Sequence, residues 1–136
     1  MIKNIIHDPI LLARKSVEAT AEDIAVADDL NDTLTANAES CVGMAANMIG
    51  VTKRIIVFFD GGKISEMFNP EIIAQSGAFE AEEGCLSLAG VRRVKRYKNI
   101  KVKWQTREMK PRIKSFTGWT AQIIQHEIDH CNGVPV

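Results

Sequence analysis

His126 and His130 stand four residues apart in the run Gln125-His126-Glu127-Ile128-Asp129-His130. On an α-helix that interval puts two imidazoles on one face, one turn above each other, where both can grip one divalent metal ion. Glu127 lies beside them without being needed as a ligand. Its carboxylate is free to move protons for a water that the metal activates. The third histidine, His7, lies outside the pattern.

Three protein ligands plus an open position distinguish a catalytic ion from a structural one, so a third donor is needed. The cysteines are the candidates: Cys41, Cys85 and Cys131. Cys131 follows His130 directly and points about 100° away from the histidine face of a helix. Cys41 sits in the small, apolar run Cys41-Val42-Gly43-Met44-Ala45-Ala46-Asn47-Met48-Ile49-Gly50, whose glycines invite close approach of a ligand or of neighbouring structure. Cys85 follows Gly84, whose backbone freedom can aim the sulfur inward, and a buried inert thiol is the competing reading. An odd number of cysteines at irregular spacing gives no disulfide framework and suits a reducing compartment.

The elements that position these groups follow from patterning. Ala121, Ile123, Ile124 and Ile128 give the last helix an apolar face, with Ser115 or Thr117 as its cap. Thr20 with Asp23 opens an earlier helix whose Ile24, Ala27, Leu30 and Leu34 form one stripe, with Asp28, Asp29 and Asp32 outside it. Ile5 to Leu12, interrupted at Asp8-Pro9, predicts an extended start and a turn. Arg54 to Asp60 and Lys63 to Phe68 flank Gly61-Gly62 as a hairpin, and Asn69-Pro70 predicts a break before a weaker strand over Ile72 to Phe79. Val91 to Tyr97 and Ile100 to Gln105 alternate apolar with basic residues as half-wet strands. Pro111 marks a short connection to the last helix. The expectation is one α+β domain over residues 1–136, with small mixed or antiparallel sheets packed around a C-terminal metal-binding helix.

Seventeen Lys and Arg balance seventeen Asp and Glu, so the total charge gives no reason to expect nucleic acid or an anionic membrane as partner. The basic run Arg92, Arg93, Lys95, Arg96, Lys98 reads as a solvated strand face. No apolar run approaches a membrane span and the start lacks a signal-peptide core, which makes the cytoplasm the expected compartment.

Glu83-Gly84-Cys85-Leu86-Ser87 and Gln125-His126-Glu127-Ile128-Asp129-His130 resemble the second and third signature motifs of the peptide deformylases, and Cys41 to Met48 resembles the first. Asp29 to Leu34, Phe68-Asn69-Pro70-Glu71 and Val94-Lys95-Arg96 extend the likeness over nearly the whole chain. The resemblance implies Cys85, His126 and His130 as ligands of ferrous iron in the cell, or of zinc or nickel in preparations. It implies Glu127 as the group that takes a proton from the attacking water and returns one to the departing amine, and the Leu86 backbone N–H as an oxyanion donor. The substrate implied is an N-formylated nascent peptide, met near the ribosome exit region. It lies extended along Cys41, Val42 and Gly43, with its methionine side chain against Trp119, Gln122 and Ile123.

Three positions depart from the family pattern. Cys41 stands for a glycine, Gln122 for an apolar residue, and Met48 for a glutamine whose amide donates to the formyl oxygen; a thioether has nothing to donate. A slow deformylase is the reading these residues favour. A metal-binding relative that holds formyl-peptides without hydrolysing them is the alternative, and an HExxH zinc protease fits less well, since its third ligand is ordinarily His or Glu.

Overall fold

A computed structural model describes all 136 residues. Five strands make one antiparallel sheet in the order β1 (Gly43–Ala45), β2 (Ile55–Asp60), β3 (Lys63–Gly84), β4 (Val91–Gln105) and β5 (Pro111–Thr117). Helix α1 (Pro9–Leu12) is one turn, α2 (Ile24–Ala36) follows the Thr20 capping box, and α3 (Gly118–Cys131) ends the fold. The α+β class and the packed C-terminal helix are as expected, with one sheet in place of several.

The sheet is covered on both sides. Along β2, residues Ile55 to Phe58 are all buried, because alternate side chains enter two different cores. Ile55 and Val57 meet Ala27, Leu30 and Leu34 of α2, whereas Ile56 and Phe58 meet Ala121, Ile123, Ile124 and Ile128 of α3. The stripe on α2 therefore does what its spacing predicts; each such fully buried leucine contributes about 1.5–3 kcal/mol of transfer free energy. Gly61 and Gly62 both take positive φ in the β2–β3 turn, as the hairpin reading requires.

Four local expectations change. Pro9 opens α1 with Asp8 as its N-cap, where an extended segment and turn were expected; a proline at the first helical position loses no hydrogen bond. Asn69-Pro70 does not end its strand: the ladder shifts register between Phe68 and Glu71, and Asn69 takes φ +53° in that irregularity. The two basic strands are one, β4, and the expected connection at Pro111 begins the edge strand β5, where a missing N–H is tolerated. Thr117 occupies the N-cap position of α3 without a side-chain capping bond, and Ser115 lies within β5.

Candidate active site

β3 ends at Gly84, so the next residue, Cys85, leaves the sheet above α3. Its Sγ lies 3.3 Å from His130 Nε2, which is itself 3.3 Å from His126 Nε2. These three ligand atoms all lie within 4.8 Å of one another. Of the three cysteines the structure thus brings Cys85 to the histidines; Cys131 is buried in the core under α3.

His126 is turned by a carboxylate: its Nδ1 is 2.8 Å from Glu83 Oε1, which leaves Nε2 facing the cluster. Glu83 also accepts from Arg96 Nη2 (2.7 Å) and from Gln122 Nε2 (2.8 Å), and Arg96 reaches Asp129 on α3 (2.7 Å). Burial works against the Glu83 charge, yet the bonds from His126, Arg96 and Gln122 outweigh it and hold its carboxyl at about 2. For His126 burial likewise opposes the charge, and Cys85 and Glu83 reverse it, pushing the ring to about 10. Burial and the neighbouring His126 and Arg96 pull His130 down to about 3. Two imidazole nitrogens and a thiol at this separation form a donor set suited to one divalent first-row ion.

Glu127 is buried between α3 and β1, its Oε1 has no hydrogen-bond partner, and burial pushes its carboxyl up to about 7. Gly43 makes room for it: a Cβ there would come within 2.9 Å of Ile123 Cγ2 and 3.0 Å of Glu127 Oε2. The close approach expected of the glycine-bearing run is therefore between β1 and α3.

A cleft of about 730 Å³ opens onto these groups. Cys41, Val42, Gly43, Leu86, Trp119, Gln122 and Ile123 line it, together with Cys85, His126 and Glu127, so every expected site residue except Met48 and His130 borders it. β1 is an edge strand. Phe59 N–H bonds Val42 O, so the next residue, Gly43, turns its peptide groups to the free edge by strand alternation. The Cys41 thiol donates to Gly43 O at 2.9 Å; burial pushes this thiol up to about 12, so it stays a donor. The Leu86 N–H makes no backbone or side-chain bond within the chain.

Met48 is buried among the residues packed on α2, the cluster that Cys41 and Cys85 also touch, and its Sδ accepts from Ala45 N–H at 3.5 Å. It belongs to a 3₁₀ turn, Ala46–Ile49. Asn47 in that turn donates to the His130 backbone carbonyl (2.9 Å), a support for the end of α3 that sequence reasoning missed. It also missed the Ile6-His7 strap. Ile6 N–H bonds Met48 O at 2.8 Å and His7 Nδ1 lies 3.2 Å from Ser87 O, joining the buried turn that holds Met48 to the loop after Cys85 that borders the cleft. His7 falls on no periodic element, and nothing in the letters ties it to Ser87.

The polypeptide deformylase family model matches residues 3–136. A peptide deformylase of Clostridium beijerinckii is 53% identical over 134 residues, covering 98% of each chain. A class I type b peptide deformylase of Acinetobacter baumannii, solved with Met-Ala-Ser bound, superposes at a TM-score of 0.88 with 27% identity over 98% of this chain and 96% of that one. A deformylase of the Vibrio parahaemolyticus bacteriophage VP16T, solved with actinonin, gives the same score at 31% identity and covers 98% of this chain and 99% of its own. The chain belongs to the peptide deformylase family, metal-dependent hydrolases that act on the N-formyl amide bond.

Proposed function

We propose that this chain removes the formyl group from N-formylmethionyl nascent peptides, with Glu127 as the acid–base group and Cys85, His126 and His130 as the metal ligands. The observation that carries it is a buried carboxyl without a hydrogen-bond partner at Oε1, bordering the same cleft as Cys85 and His126. An ion held by those ligands supplies Lewis acidity toward the formyl oxygen and the attacking water. Ferrous iron is the expected ion in the cell, with nickel or zinc able to replace it.

The free edge at Gly43 receives the peptide backbone as an added strand, which sets the formyl carbon against the cleft floor. Leu86 N–H faces the oxygen on which negative charge develops. Glu127 removes a proton from water as it attacks the formyl carbon. The carboxylic acid so formed then donates that proton to the peptide nitrogen as the C–N bond breaks, releasing formate and a free amine. Burial favours the neutral acid that this second half needs. The methionine side chain lies against Trp119, Ile123 and the aliphatic part of Gln122, whose amide is committed to Glu83. Such work belongs in the cytoplasm, near the ribosome exit region.

Formate release from formyl-Met-Ala-Ser, with iron or nickel loaded anaerobically, tests the reading. Glu127→Gln should keep the metal and lose about 10²–10⁴-fold in turnover. Full activity in that variant removes Glu127 from its role. A wild-type chain that binds metal tightly and releases no formate favours the non-catalytic alternative.

A further inference from the structure

The neutral total charge averages over two opposite regions. Residues 1–40 carry eight acidic and three basic side chains, whereas residues 91–117 carry eleven basic and one acidic, Glu108. The basic region is β4, β5 and the turn between them, one side of the sheet. Three of its cations have partners: Arg96 bonds Glu83 and Asp129, Arg93 lies 3.8 Å from Glu80, and Arg107 in the turn bonds Glu66 and Asp28. Further out, Lys98, Lys101, Lys103, Lys110, Arg112 and Lys114 form no salt bridge, while all of them are exposed.

Lysine on an edge strand discourages sheet-to-sheet association, which accounts for cations on β5. It does not account for Lys101 and Lys103, which lie on β4 between two neighbours. Lys103 stands opposite Glu71 of β3 without forming a salt bridge to it, and Lys101 stands opposite Ala74 and Ser115, so neither cation is neutralised within the sheet. An anionic ligand would neutralise them. The register also interleaves cations with aromatic rings: Trp104 stands directly opposite Arg112, Ile100 opposite Phe116, and Lys114 Nζ lies 5.2 Å from the centre of the Phe116 ring. Trp104 packs against the core beside Phe116 and shares its face of the sheet with Arg112 and Lys114; it is half-buried, so part of its surface remains accessible.

We propose that the outer part of β4 and β5 is a docking surface for single-stranded RNA, in which Lys101, Lys103, Arg112 and Lys114 take phosphates and Trp104 offers a ring surface to a base. Cations along extended strands with aromatics between them are what single-stranded nucleic acid needs, charge for its backbone and a flat apolar surface for its bases. A membrane fits less well. By strand alternation Lys101 and Lys103 project from one face of the sheet and Arg112 and Lys114 from the other, so a flat bilayer reaches only half of them. A flexible polyanion can follow the edge. This surface is distinct from the catalytic cleft, and its occupancy does not depend on the hydrolytic reading.

Fluorescence anisotropy of the full chain with a fluorescein-labelled single-stranded RNA, titrated between 50 and 200 mM salt, is the test. Four phosphate contacts predict a slope of log K against log salt near about −3. The variant K101Q/K103Q/R112Q/K114Q should bind at least tenfold more weakly and lose most of that slope, while still releasing formate like the wild type, which shows that it is folded. Should that variant not fold, K101Q/K103Q alone gives the same comparison with about half the loss of slope. The proposal is overturned if the wild type does not bind RNA at the lowest salt, or if the variants bind it unchanged. It is equally overturned if phosphatidylserine vesicles or polyglutamate compete RNA off at equal charge concentration.

Discussion

Met48 marks the sharpest local conflict between the chemistry proposed and the atoms present. A developing oxyanion gains from each aimed donor, and one such donor is worth roughly 10²–10³ in turnover. A thioether supplies none, and here its sulfur already accepts the Ala45 N–H. A glutamine in its place can keep that contact through Oε1 and present Nε2 as a new donor. Met48→Gln is therefore expected to raise kcat by about tenfold or more with little change in KM, measured as formate release; an unchanged kcat would place the oxyanion elsewhere. Sequence made this position legible only through the family pattern. Gln122 was the opposite case: a polar residue expected on a pocket wall turned out to be the third donor to Glu83, a contact that no spacing along the chain could disclose.

Among the elements, the strap Ile6-His7 connects the turn holding Met48 to the loop holding Leu86. Backbone donors are useful only when held still, and the bond from His7 to Ser87 O sits one residue from the Leu86 N–H. His7→Ala is expected to lower kcat severalfold while KM moves little. His7→Asn, whose amide nitrogen occupies roughly the place of Nδ1, should restore most of it. If both variants behave like wild type, the strap is only covering. Elements with a period were readable in advance: the stripe on α2, the β2–β3 hairpin and α3 itself. The joins were not. Whether Asn69-Pro70 ends a strand or bends it depends on Asn69 binding the backbone of Ala19, fifty residues away, and on its bond to Gln105. Likewise β5 is too polar to announce itself, since five of its first residues face water and its pairing with β4 supplies the reason for its shape.

For the molecule as a whole, apolar side chains of the sheet, α2 and α3 build the two cores on opposite sides of the sheet, with Cys85 packed against one of them and His126 and His130 buried beside them. The fold should therefore survive loss of the ion, but at a lower melting temperature, because a ligand that binds only the native state stabilises it. Stripping metal with a chelator is expected to lower Tm by about 10 °C relative to ion held at a hundredfold its Kd, with the far-ultraviolet circular dichroism unchanged. Collapse of the secondary structure on chelation would show the ion to be structural. The class and the order of the motifs were open to inspection in the letters. The segregation of charge was present there too, concealed by its zero sum.

Gly43 lets Glu127 sit directly beneath the strand proposed to receive the peptide, with no side chain between them. In the proposed reaction, the ruler that measures where the scissile bond falls and the group that breaks it are consequently in direct contact. Any drift of that strand carries its own error into the chemistry, so selection acting on accuracy and selection acting on speed press on the same missing methyl group.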